Sequence, residues 1–286
     1  MKVKSLILLT AIMLTTLACS FTVNVPTVKV GDVQTLTLSE PLPTDLESTT
    51  TVEMDMGAGN LNLSNDADGL IEGEVKYNIP EWKPVLTVDS NSVLLKQTTQ
   101  GQSIGIPSQD VRNDWNIKLS KSVPMDLRIN AGAYSGKMDL GGLRLNNLEI
   151  SDGASTNTLD FSAVNPEQLN LFTYKTGAST VTMTGLSNAN FSKMVFEGGA
   201  GTYHLNFDGN LQRDADVKIT SGVSTLQITI PRSVHAIIDV SGGLKDVSTE
   251  GTWTTTDNSY ETGSTGPTLT IRVEMGVGTL SLVQGK

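Results

Sequence analysis

The feature that most constrains this chain is a glycine that keeps returning in the same apolar setting. Gly57, Gly132, Gly153, Gly177, Gly199, Gly222, Gly243 and Gly276 are each preceded, five and three positions earlier, by two apolar residues. Val52/Met54, Leu127/Ile129, Phe172/Tyr174, Val217/Ile219 and Ile271/Val273 are examples. A spacing of two puts both side chains on one face of a strand. After the glycine the alternation resumes in the opposite parity, as in Leu61/Leu63, Val181/Met183 and Leu226/Ile228. A chain that changes parity yet keeps one face inward has turned a corner. Each unit is expected to be strand, glycine corner, strand.

From Gly132 to Gly243 the glycines recur every 21 to 24 residues, and the last step, to Gly276, is 33 because a polar loop at residues 248–267 is inserted. One such unit has a single apolar face and cannot bury it alone. Stacking the units about 4.8 Å apart gives a continuous core and pairs the backbone of every inner rung. Regular short strands also suit a β-sandwich, but fixed apolar offsets from every glycine favour the repeat. The expected fold is therefore all-β, a β-solenoid of about eight glycine-cornered units resembling a single-stranded β-helix. The corner glycines are expected to have positive φ or to touch neighbouring rungs. Each is followed by an apolar and mostly small residue: Ala58, Ala133, Ala154, Ala178, Ala200, Val223, Leu244 or Val277. Between Gly57 and Gly132 strand-like runs occur at 74–77, 85–88, 93–96 and 116–119, with a loop expected at 110–114, and the spacer before Gly57 is expected to contribute a first strand at 33–38. This irregular part is expected to cap the rod.

The start of the chain sets the expected address. Lys2 and Lys4 precede an apolar run at 6–17 that is too short for a stable membrane span and matches a secretory leader. It ends in Leu17-Ala18-Cys19-Ser20, where Cys19 is the single cysteine of the protein. These residues resemble a bacterial lipobox, although Thr16 stands where leucine is usual. The resemblance implies acylation of Cys19 and an extracytoplasmic protein whose partner is the cell membrane through that lipid. With no other cysteine, neither disulfides nor thiolate metal sites can stabilise the fold. A formal net charge of −10 repels nucleic acid and anionic headgroups.

Residues 52–63 (VEMDMGAGNLNL), 72–85 (EGEVKYNIPEWKPV), Asn113-Asp114-Trp115 and 271–280 (IRVEMGVGTL) together resemble the toast-rack family of bacterial envelope proteins. That family is related to cell-wall-antibiotic-response proteins and to β-solenoids named as candidate adhesins. The likeness covers about residues 27–284 and implies a β-solenoid at the cell surface, with a role in adhesion or the envelope stress response and no catalytic residues. The expected domains are a lipoprotein signal peptide at 1–18, lipidated Cys19 and a spacer to 48, an N-terminal toast-rack subdomain and cap at 49–124, and the repetitive solenoid at 125–286.

The candidate chemistries reduce to structure. Asn65-Asp66-Ala67-Asp68-Gly69 has the residues of a calcium loop but lacks its distal glutamate, and the same residues make tight turns. His204 and His235 are the only histidines; without a paired carboxylate motif they are expected to be exposed strand residues. Outward positions such as Glu149, Glu197 and Lys218 change sign between units and build no pair for glycoside hydrolysis. Trp82, Trp115 and Trp253 could form a sugar-stacking platform, and Trp82, between Pro80 and Pro84, reads first as a cap. No metal, cofactor or enzymatic site is expected. The functional expectation is a lipid-anchored structural or adhesive module that binds a cell-wall polymer or envelope protein through flat β faces. The alternative is an accessory sensor or regulator of the envelope stress response.

Overall fold

The computed structural model describes residues 30–98, 110–243, 246–263 and 265–285. The N-terminal strands are β1 (Gln34–Glu40), β2 (Thr50–Ser64), β3 (Ile71–Tyr77), β4 (Pro84–Asp89), β5 (Ser92–Gln97) and β6 (Asn113–Leu119). Next come β7 (Pro124–Asp139), β8 (Arg144–Asp160), β9 (Leu169–Thr184), β10 (Phe191–Asn206) and β11 (Ala215–Ile230). The chain closes with β12 (His235–Gly242), β13 (Asp246–Glu250), β14 (Thr254–Thr256), β15 (Ser259–Thr262) and β16 (Thr268–Gln284). The fold is an open β-solenoid.

Each full rung is one long strand and not two. β2, β7, β8, β9, β10, β11 and β16 run 15 to 17 residues straight through the glycine, so the corner is a bend within a continuously paired strand. Parallel register aligns the corners: Ala133 pairs with Ala58 and Ala154, Ala178 with Ala154 and Ala200, and Val223 with Ala200 and Val277. The apolar pairs lie inside as the periodicity requires, with Phe172, Tyr174, Ile219, Leu226 and Ile228 all fully buried. The residues following the glycines stand on the outer crest of the bend, where Val223 and Val277 are 62% and 64% exposed.

The glycines serve close approach, and the expectation of positive φ does not hold: none of the seven whose full setting is a paired rung has it. A Cβ on Gly132 would lie 2.5 Å from the carbonyl oxygen of Gly57, and one on Gly199 would lie 2.3 Å from that of Gly177. The same holds for Gly276 over Gly222 (2.6 Å) and Gly243 over Gly276 (2.5 Å). The corner is a ladder of glycines, each resting on the carbonyl of the one below.

Spatial order departs from chain order at both ends. β16 inserts between β11 and the pair β12/β13, which together pair with its two halves. Likewise β5 pairs with the first half of β2 and β6 with the second, forming a split rung outside the first glycine unit. Antiparallel strands then cover the split rungs: β4 on β5, β3 on β6 and β1 on β3 at one end, β15 on β12 and β14 on β15 at the other. The segment expected as an inserted loop at 248–267 thus contains most of β13 and all of β14 and β15, and the loop expected at 110–114 gives way to β6 at Asn113. The split N-terminal rung has no glycine, and two amides replace it. Gln97 Oε1 accepts the Gly57 N–H (2.9 Å) and Asn113 Nδ2 (2.8 Å), while Asn113 Nδ2 also reaches the Ala58 carbonyl (2.7 Å). Trp115 Nε1 donates to Asn113 Oδ1 at 2.9 Å and locks the pair.

Candidate functional surface

The bend divides the outside of the rod into two faces. On the side preceding the glycines, charges of opposite sign stack on successive rungs. Arg128 lies between Glu53 (3.9 Å) and Glu149 (3.1 Å), and Lys175 faces Glu197 at 3.8 Å. These are exposed pairs of small individual worth. The signs alternate across these rungs, so no carboxylate ladder forms there among the described residues.

On the side following the glycines the rows are polar and regular. Thr156, Thr180, Thr202, Thr225 and Thr279 occupy one register position on five adjacent rungs. The next outward row reads Asn62, Lys137, Thr158, Thr182, His204, Gln227 and Ser281. Parallel pairing produces both rows, because in-register stacking repeats each outward position once per rung. Toward the N-terminal end this face is concave. A groove of about 590 Å³ crosses β6, β2, β7, β8 and β9, lined by Asn62, Asn116, Lys137, Asp139, Thr158 and Asp160 among others. A second hollow of about 460 Å³ shares Asn62, Asn116 and Lys137 and continues it toward Arg112. Its polar groups are held in place: Asn62 Nδ2 donates to Asn116 Oδ1 (2.9 Å), Thr184 Oγ1 to Asp160 Oδ1 (2.7 Å), and Ser162 Oγ to Asp139 (2.7 Å).

Beneath the bend lies a polar seam that sequence reasoning missed. Side chains one position before and two after the glycine meet across the corner, as Asp152/Ser155 (3.1 Å), Thr176/Ser179 and Ser221/Ser224 (2.9 Å). Tyr174 also donates to Asp152, at 2.9 Å. In β10 the same two positions are Gly198 and Gly201, and the Tyr203 ring fills the space between them. Burial, then the nearby Asp152 charge, pushes the Tyr174 hydroxyl well above the usual phenol range; burial does the same to Tyr134. The signal was a Ser, Thr or Asp before the glycine and a Ser after it, which reads on its own as ordinary strand surface. The far turns hold a second missed feature, the fully buried Asn165. Its Oδ1 accepts the Leu145 N–H (3.0 Å), and its Nδ2 donates to the carbonyls of Leu145 (2.9 Å) and Ala189 (3.2 Å).

The remaining sequence candidates are scattered. Cys19 lies outside the described residues, as does Leu244. Both Asp66 carboxylate oxygens are taken, by Ser64 Oγ (2.5 Å) and Lys118 Nζ (3.0 Å), which hold its carboxyl below the usual range. His204 is half-buried in the outer row, on the Thr182–Gln227 register. His235 is not a free surface residue: Nε2 meets Glu261 at 2.9 Å and Nδ1 meets Thr268 at 3.2 Å, tying β12 to β15 and β16. The tryptophans form no platform, since Trp115 is fully buried in β6, Trp82 ends a 3-10 turn (Pro80–Trp82) and Trp253, in the link from β13 to β14, packs half-buried against the core. Among the described residues no three His, Cys, Asp or Glu side chains converge as a metal site, and no helix is long and apolar enough to cross a membrane.

An open parallel solenoid with a register-repeated polar surface is the class of protein that this geometry defines. Residues 29–173 match the sequence profile of the N-terminal domain of toast-rack proteins, also designated DUF2154. The chain belongs to the toast-rack family. Its match runs through β8 into β9, across an unbroken pairing of β2 with β7. No curated protein matches the chain. Among solved structures, a candidate cell adhesion protein from Clostridium sporogenes aligns at 21% identity and a TM-score of 0.49, covering 89% of this chain and 99% of its own. A candidate adhesin from Bacteroides fragilis aligns at 13% identity and 0.42, covering 88% and 97% respectively. A candidate lipid binding protein from Parabacteroides distasonis aligns at 9% and 0.37, covering 90% and 98%.

Proposed function

We propose that this protein is a lipid-anchored, non-enzymatic module of the bacterial envelope that binds a cell-wall polymer or a neighbouring envelope protein along its outer β face. The observation that carries this reading is the register itself: outward polar positions repeat on seven adjacent rungs, from Asn62 to Ser281. A surface of that kind offers many weak contacts to an extended partner, and affinity accumulates over rungs. The basic and apolar leader with Cys19 at its end supports the address, and the toast-rack resemblance supports an envelope role.

Two measurements test it. Cys19→Ala should move the protein from the membrane fraction to the soluble secreted fraction, because stable anchoring needs the acyl chains. Unchanged partitioning of the variant excludes the anchor. The soluble variant should then adsorb to envelopes prepared from the cell that makes the protein, and failure to adsorb excludes the binding role.

A further inference from the structure

We infer that the groove across β6, β2, β7, β8 and β9 binds one strand of an uncharged polysaccharide lying along the rod axis. This inference rests on the proposed binding role and assigns it a site and a ligand class. The groove runs across the strands, so a ligand in it passes one rung after another, about every 4.8 Å. Four rungs present a hydrogen-bonding group at the same height, Asn116, Asn62, Lys137 and Thr158, and the neighbouring outward row adds Ser64, Asp139, Asp160 and Thr184. Such a site fits a ligand that itself repeats, with one hydroxyl-bearing unit for each rung.

Charge selects among repeating polymers. Asp139 and Asp160 sit in register at the middle of the groove, and their remaining lone pairs can accept sugar hydroxyls. Together with a chain charge of −10 they oppose a polyanion. Lys118 and Lys137 on the same walls oppose a polycation; Lys118 is paired with Asp66, whereas Lys137 makes no salt bridge among the described residues. The neutral, mixed donor and acceptor set matches a polyhydroxylated chain of no net charge. The methyl groups of Thr158 and Thr184 and the methylenes of Lys137 supply the apolar ground that C–H faces of sugar rings require.

A protein partner fits less well. Protein interfaces are dominated by aromatic, arginine or bulky apolar anchors in desolvated pockets, and the outward side chains of this groove include no aromatic residue. An extended peptide gains its affinity by pairing with a sheet edge, and here the backbone of each inner strand is already paired on both sides.

The test is isothermal titration of the full chain carrying Cys19→Ala with cellohexaose, fully N-acetylated chitohexaose and polygalacturonate. Binding to at least one of the uncharged hexasaccharides is expected. The triple variant Asn62→Ala, Lys137→Ala, Thr158→Ala should weaken it roughly 10- to 100-fold while melting unchanged, since three modest hydrogen bonds are lost. Each single substitution should cost only a few-fold by the same arithmetic. Glu197→Ala with Lys218→Ala, on the opposite face, should leave binding intact. Binding of polygalacturonate alone, binding of neither hexasaccharide, or an unaffected triple variant overturns the inference. Envelope adsorption is run in parallel: adsorption that the triple variant does not reduce removes this site but keeps the binding role, whereas no adsorption by any form removes both.

Discussion

Substituting Gly199 by alanine isolates the reason for the glycine ladder. Its φ is not positive, so alanine is acceptable to the backbone. The added Cβ would lie 2.3 Å from the Gly177 carbonyl oxygen, about 1 Å inside ordinary contact. The neighbour is backbone, already paired within the sheet, so it cannot rotate away. Relief requires β9 and β10 to part at the bend, which stretches the hydrogen bonds on either side; overpacking of this kind costs about 1–3 kcal/mol. The loss outweighs the roughly 0.4–1 kcal/mol that Gly→Ala gains by restricting the unfolded chain. At Gly222 the corresponding distance is 2.8 Å, so the same change should cost less. At Gly263 a Cβ meets nothing within 4 Å, and Gly263→Ala should be neutral or slightly stabilising. Urea unfolding of the three variants should therefore rank Gly199→Ala below Gly222→Ala below Gly263→Ala. Equal stabilities at Gly199 and Gly263 would refute close rung approach as the cause.

Asn165→Ala should lower stability by on the order of 3 kcal/mol, because it strands the buried Leu145 N–H and two carbonyls; a loss under half a kcal/mol in urea unfolding would contradict the bridge. Tyr174 has a folded pKa raised above its unfolded value of 10.0, so its contribution is whole below that pH and is lost as pH rises. Above pH 10 stability should fall by about 1.4 kcal/mol per pH unit for each such tyrosine, and Tyr174→Phe should flatten the decline relative to the parent, read by unfolding midpoints from pH 9 to 12. Truncation after Gly266 removes β16, which lies between β11 and β12/β13, so residues 235–262 should become protease-sensitive while β7 to β9 stay protected. Continued protection of that segment would show that β16 does not hold it.

The repeat was legible because two requirements coincide at every rung: apolar pairs must face one core, and the bend must clear the carbonyl below. Both leave residue types at fixed offsets, so the solenoid, its corners and its inward set followed from Val52/Met54, Gly57, Leu61/Leu63 and their counterparts. Rung order was not legible. The unit around Gly276 has the same offsets as the others, and nothing in one unit names its neighbour; the insertion of β16 depends on how the 33-residue step folds back. The crest position was ambiguous for a similar reason, since alanine suits a core and a surface equally. The amide caps Gln97, Asn113 and Asn165 went unseen because the backbone groups each of them satisfies lie many positions away in the sequence. Of the outer surface, the scatter of charges was visible in the sequence, while the groove required register between strands that the sequence leaves open.

The most direct test of the architecture is a disulfide across the rung that chain order would not place there. Thr225 of β11 and Thr279 of β16 are register partners on adjacent strands with hydroxyls 3.5 Å apart, and a strand spacing of about 4.8 Å lies within the Cα separation that a disulfide spans. Asp246 of β13 pairs with Thr279 on its other side, and stacking in simple chain order would instead set Asp246 against Thr225. In a Cys19→Ala background, Thr225→Cys with Thr279→Cys should close within the monomer under mild oxidation, seen as a two-hydrogen mass loss and a mobility shift that reductant reverses. Thr225→Cys with Asp246→Cys should stay open. Closure of the second pair and not the first would contradict the inserted terminal strand, and with it the continuous register on which the binding face depends.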